Sequence, residues 1–267
     1  MKHLHRLALL GAALACAGCF QMTTIVHLNG DGSGTIDHSM LITKAALAQI
    51  RQFSALGGRG QTIDFVSEEQ ARKMAATLGP GVSYVSSEAI DTPLGEGRNS
   101  KYAFADINTL RISSQPEVPG GISVKTQAFS TNSNTITCSF ARDPNGNAIL
   151  KINLPELNLQ GALGNANTGD AGITQQLAMV RALLAGARIL IGVEPAGQLV
   201  KTTSPFVDGT RVTLLDVNLD QVLANEALIA QVQAAKTPEE MKTALTGVPG
   251  LRIALEREVT IEFTPAK

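Results

Sequence analysis

Tryptophan is absent from the 267 residues, tyrosine occurs twice (Tyr84 and Tyr102), and aromatics make up only 4% of the chain. Stacking platforms for bases and aromatic shelves for sugars are therefore nearly excluded. Charge is scarce too, at 17%, and almost balanced, with 22 Lys and Arg against 23 Asp and Glu. No basic excess is present to hold a polyanion, so nucleic acid is not an expected partner. Three cysteines (Cys16, Cys19 and Cys138) do not make a disulfide framework. The chain contains no Gly-x-Ser-x-Gly elbow, no Ser-x-x-Lys, no His-Glu-x-x-His and no Gly-Lys dipeptide of a phosphate loop. These absences point away from an enzyme and from any cofactor. The apolar run Leu7 to Ala15 is too short to span a bilayer as a permanent helix, which takes about 20 residues.

What is there begins at the start of the chain. Lys2 and Arg6 precede that apolar run, the layout of a secretory leader, and the segment closes on Leu14-Ala15-Cys16-Ala17-Gly18-Cys19-Phe20. Small residues before a cysteine resemble the lipobox of bacterial lipoproteins. The resemblance implies cleavage before Cys19, with Cys16 as the alternative, and acylation of the new first residue. Two or three acyl chains give stable attachment where one gives only marginal binding. Phe20 in place of Asp after the cysteine implies, by the same resemblance, that export to an outer membrane is permitted. Cleavage before Cys19 leaves 249 residues with 20 basic and 23 acidic side chains. Attachment would then rest on the acyl chains rather than on a basic patch. Cys16 and Cys19 also spell Cys-x-x-Cys, but no βαβ unit precedes them, so a redox pair is not expected. Cys138 falls in Thr135 to Phe140, where Ile136, Cys138 and Phe140 share one strand face, and reads as a core thiol.

Thr23 to Leu28 and Thr35 to Ile42 form a hairpin around Asn29-Gly30-Asp31-Gly32-Ser33-Gly34. Asp31-x-Ser33-x-Thr35 also has the spacing of a von Willebrand-type metal loop, but that loop leads into a helix, and here a strand follows. His27 and His38, with Asp31 or Asp37, are candidate metal ligands. The competing expectation is two half-exposed strand residues, and no metal is assigned. Thr43 opens a helix to about Leu56, and Ser67-Glu68-Glu69-Gln70 caps one that ends at Gly79-Pro80. Glu68, Glu69, Glu239 and Glu240 lie in first helical turns, where acids complement the dipole, so no catalytic acid or base is assigned. Strands are predicted over Val82–Ile90, Lys101–Ile107, Ile122–Phe129, Thr135–Arg142 and Ala148–Leu154. Residues 158–172 (NLQGALGNANTGDAG) form a linker or long loop. A helix over Gln175–Ala185 follows, then strands over Arg188–Val193, Gly197–Thr203 and Thr210–Val217. A helix from Asn218 to about Ala234, one opened by Thr237-Pro238, and a strand Leu251–Phe263 complete the chain.

The expected fold class is α+β: antiparallel sheet with helices packed on one side, or two related αβ units. The expected division is 1–18 signal peptide, 19–157 first unit, 158–172 linker and 173–267 second unit. A lipobox, a first strand, Asp31-Gly32-Ser33-Gly34, a second strand and then a helix resemble a set of poorly characterised bacterial envelope lipoproteins, similar in outline to the mycobacterial LppM type. The resemblance rests on roughly the first 45 residues. It implies strands curled around helices and the binding of envelope glycolipids, and assigns no ligand-binding residue. The functional expectation is a non-enzymatic, membrane-anchored envelope lipoprotein for an apolar, lipid-like ligand. The alternative is a scaffold docking another envelope protein, and an enzyme of unrecognised type comes third.

Overall fold

The computed structural model describes residues 20–44, 46–48, 67–113, 135–155, 186–235 and 237–266. Strand β1 (Phe20–Leu28) pairs antiparallel with β2 (Gly34–Thr43), opposing Phe20 to Ile42 and Leu28 to Gly34. The turn between them closes through hydrogen bonds from Asn29 N to the Ser33 carbonyl (2.8 Å) and from Gly32 N to the Asn29 carbonyl (3.2 Å). Gly32 has φ +89°, a region open to glycine at little cost, and its Cα faces the Phe140 ring. At Gly34 a Cβ would lie 2.0 Å from the His27 carbonyl oxygen.

Two sheets are built around this hairpin. Sheet A adds β3 (Ser83–Asp91), β4 (Gly95–Phe104), β8 (Arg188–Pro195), β10 (Val207–Asp208) and β11 (Arg211–Asn218), in the order β10-β11-β8-β1-β2-β4-β3, with β12 (Leu251–Ile253) also on β11. Sheet B contains β5 (Arg111–Ser113), β6 (Thr135–Arg142), β7 (Ala148–Asn153), β9 (Gly197–Thr202) and β13 (Glu258–Pro265), in the order β5-β6-β7-β13-β9. One cluster of buried side chains draws on both: Val26, Leu28, Ile36, Tyr102 and Ile191 from sheet A, Leu150, Ile152, Ile261 and Phe263 from sheet B. Alternation in each strand sends these residues to one face, so the two faces close on each other.

The helices are short and peripheral. Helix α1 (Glu68–Thr77) is capped by the Ser67 hydroxyl, which accepts from Gln70 N, and its inward residues Ala71 and Ala75 are buried. The buried Tyr102 hydroxyl donates to the Ala71 carbonyl at 2.9 Å, joining α1 to β4. Helices α2 (Leu219–Ala224), α3 (Glu226–Ala234) and α4 (Pro238–Leu245) follow β11. Leu228, Val232, Leu245 and Leu251 form their own small cluster.

The expected α+β class, with helices covering one side of an antiparallel sheet, is thus overturned. Among the described residues thirteen strands outnumber the α-helices, of which the four described from end to end have six to ten residues, and the inner face of sheet A is covered chiefly by sheet B. Sheet A is mixed, because β1 runs parallel to β8 from Gln21↔Arg188 to Leu28↔Pro195. Nor do two αβ units stand side by side. β8 lies between β1 and β11, and β13 lies between β7 and β9, so each sheet takes strands from both sides of residues 158–172. The cause is that two-residue periodicity names a buried face without naming what buries it.

Several local expectations hold. β6 spans Thr135–Arg142 as read, the Thr43 hydroxyl accepts from Ala46 N at a helical start, and the Thr237 hydroxyl accepts from Glu240 N at the head of α4. Others shift. The single helix from Asn218 is broken at Asn225, whose side chain caps α3 by accepting from Leu228 N. The strand Leu251–Phe263 is two strands in different sheets. Among the described residues no helix is long and apolar enough to cross a membrane. The leader (1–18) with Cys16, Cys19, the strand Ile122–Phe129, the segment 158–172 and the helix Gln175–Ala185 lie outside the described residues.

Candidate functional site

The hairpin register separates the two histidines. His38 opposes Thr24, whereas His27 opposes Thr35. His27 therefore points outward with Asp37, and His38 points inward with Ile36 and Met40. They cannot share an ion, and among the described residues no three potential metal ligands converge. Asp31 is occupied by the turn, its carboxylate accepting from Ser33 N (2.9 Å) and the Ser33 hydroxyl (2.7 Å), and these bonds hold its carboxyl below the usual range.

Outward, His27 belongs to a row of polar and charged side chains. Its Nε2 lies 3.0 Å from Asp37 and its Nδ1 lies 3.5 Å from Glu194. Asp37 reaches Lys101 at 3.5 Å, and Glu194 reaches Arg211 at 3.6 Å. Arg211, Glu194, His27, Asp37 and Lys101 thus cross the five strands β11, β8, β1, β2 and β4. Cross-strand pairs of this kind stabilise a sheet modestly and fix its register.

The inward row is unusual. Thr24 on β1, His38 on β2 and Ser100 on β4 stand opposite one another and are buried, with 2%, 8% and 6% of their surface exposed. Ser87 on β3 extends the row opposite Ser100, accepting from Arg98 Nη1 at 2.8 Å and sharing a hydrogen bond with the Tyr84 hydroxyl, also at 2.8 Å. Apolar residues flank the row on both sides: Val26, Ile36 and Tyr102 toward the shared core, Met22, Met40 and Ile42 toward the start of β1. His38 Nδ1 pairs with the Thr24 hydroxyl at 2.9 Å, but Nε2 is buried without a partner among the described residues. Burial pushes the His38 pKa down to about 4, so the ring is neutral at pH 7. A buried polar atom left unpaired costs about 1–3 kcal/mol, which a hydrogen-bonding ligand group would relieve. The sequence expectation of a half-exposed His38 is corrected on this point. The signal was in the chain, since His38 shares its two-residue period with Ile36, Met40 and Ile42.

The remaining candidates have structural partners. Cys138 is part-buried beside the shared core, and burial pushes its thiol up to about 12, which disfavours the thiolate. Glu68 accepts from Arg72 (2.6 Å) and from the Tyr84 hydroxyl (3.1 Å), and Glu69 pairs with Lys73 at 2.6 Å. Both carboxyls are held below their ordinary value, first by those hydrogen bonds. Glu239 and Glu240 lie exposed in the first turn of α4.

No protein-family model matches the chain, and no curated protein matches it. Among solved structures it is similar to the NMR structure of the folded domain of Mycobacterium tuberculosis LppM, with a TM-score of 0.32 and 10% identity over 94% of this chain and 92% of that one. The likeness is one of outline. No site residue, ligand or partner is drawn from it.

Proposed function

We propose that the chain is a membrane-anchored, non-enzymatic envelope lipoprotein, acylated at Cys19, whose folded domain holds an apolar ligand carrying a neutral hydrogen-bonding group. The observation that carries the ligand reading is Nε2 of His38, unpartnered among the described residues, in a short polar row flanked by apolar side chains on both sides. A neutral imidazole suits a hydroxyl or ester better than a phosphate, and Met22 and Met40 offer adaptable apolar walls beside it. The anchor reading is supported by the lipobox-like Ala17-Gly18-Cys19. The test is native mass spectrometry of the full chain extracted from membranes in mild detergent. An adduct of lipid mass that is retained by the wild type and lost from His38→Leu is the expected result. A wild type that neither carries nor exchanges lipid would overturn the reading.

Docking to another envelope protein is favoured by one feature. β9 is an end strand of sheet B, and Val200 on it is 53% exposed. Crosslinking from a Val200 photoprobe in intact envelopes tests it, and reproducible capture of no partner would remove this reading.

A further inference from the structure

β1 begins at Phe20, the residue immediately after Cys19, and it is an interior strand of sheet A, held by β2 on one side and β8 on the other. The Cα of residue 19 is therefore only about 3.8 Å from a strand pinned along both edges. If the lipid is on Cys19, no slack separates the acyl chains from the fold. We infer that the end of sheet A where β1 starts is the surface that lies on the bilayer, so that the domain is held in one orientation; this rests on the acylation of Cys19 proposed above.

What the strands place at that end fits the inference. Ile42 opposes both Phe20 and Glu96, so the turn from β3 to β4 stands beside the start of β1. That turn presents Pro93 and Leu94 exposed, with Leu94 46% exposed, one of few large apolar side chains so open among the described residues. Lys44 N donates to the Leu94 carbonyl at 3.2 Å, and its ammonium lies 3.1 Å from Asp91. Arg188, opposite Gln21, is half-exposed and bound bidentately by Asp216 at 2.9 and 3.0 Å. Each of these cations is paired with a carboxylate, so it is the exposed Pro-Leu tip that suits this end to an interface. Helices α2 to α4 leave the β11 side of the same end, and α4 carries the exposed Glu239 and Glu240, so the contact falls on the β2–β4 flank. The opposite end lies roughly 26 Å away, the eight steps of about 3.3 Å that separate the first and last of the nine residues of β1. Arg142 there donates to the Gly30 carbonyl at 2.6 Å, which places the exposed Asn145 turn at the distant end.

The absence of tryptophan supplies the test. The full, lipid-processed chain is prepared as Leu94→Trp and as Asn145→Trp and reconstituted into phosphatidylethanolamine–phosphatidylglycerol vesicles with dibrominated acyl chains. The expected result is blue-shifted emission and severalfold stronger quenching for Leu94→Trp than for Asn145→Trp. A spacer of about six Gly and Ser residues between Cys19 and Phe20, with a mean span of roughly 13 Å, should abolish that difference while the chain stays on the vesicles. Equal quenching at both positions in vesicle-bound protein would overturn the orientation and leave the anchor reading standing. A mature terminus without acyl chains on Cys19, read by mass spectrometry, would overturn the anchor and the orientation with it.

Discussion

His38 should make folding stability depend on pH in a way that its replacement removes. Its ordinary pKa is 6.5 and burial lowers it to about 4 in the folded chain. Between those values the unfolded chain binds a proton that the folded chain refuses, so stability rises with pH through this window and falls on acidification. At about 1.4 kcal/mol per pH unit the full span is worth about 3 kcal/mol, of which about 2 kcal/mol is lost by pH 5. Little changes above pH 7, where both states are neutral. The measurement is urea unfolding at pH 7, 6, 5 and 4 for the wild type and His38→Asn, an amide that keeps a hydrogen bond to Thr24 within reach. Subtracting one curve from the other removes the effect of the carboxylates, including Asp31, Glu68 and Glu69, whose lowered values make their own contribution fade only at more acid pH. The expected difference narrows toward low pH as the wild type loses its advantage. Parallel loss of stability in both proteins from pH 6.5 to pH 4 would refute a buried, neutral His38.

Four further outcomes follow from the packing and the termini of the elements. Phe263→Ala, at a fully buried site shared by both sheets, should cost about 3–5 kcal/mol, read as a fall in the denaturation midpoint at constant slope. Gly34→Ala should destabilise far more than Gly146→Ala: a Cβ at 34 meets the His27 carbonyl at 2.0 Å, whereas Gly146 at φ +87° faces open space and adds about 1 kcal/mol of backbone strain. Asn225→Ala should cost about 1 kcal/mol, with loss of helical circular dichroism from the segment after β11. Iodoacetamide at pH 8 should leave Cys138 unmodified in the folded chain and label it in urea, because the thiol is held near 12 by burial; rapid labelling of folded protein would contradict this.

The local grammar of the chain was readable because it is enforced within a few residues. Asn29 to Gly34 closes as a hairpin turn, Ser67 and Thr237 cap their helices, and β6 keeps its alternation. Long-range pairing was not readable, because the run Ile189-Leu190-Ile191 is equally apolar whether a helix or another sheet covers it. The break at Asn225 is a related case, since an Asn inside an apolar period signals a cap only when its side chain turns back on the backbone. Within the candidate site, Thr24, His38 and Ser100 meet only through the β1–β2–β4 register, which fixes Thr24 to His38 and His38 to Ser100. The alternation along β2 foreshadowed the inward turn of His38, but the partners came from strands whose register no local signal sets.

The parallel pairing of β1 with β8 also governs how the chain must come together. Val26 meets Val193, and β13 at the other extremity closes sheet B between β7 and β9. A chain delivered from its N-terminus across a membrane would thus present β1 with one edge satisfied by β2 and the other bare until more than two-thirds of the sequence has emerged. Pairings this distant carry a large loop-closure cost and make for slow assembly. During that interval the bare edge would be a template for pairing with other chains.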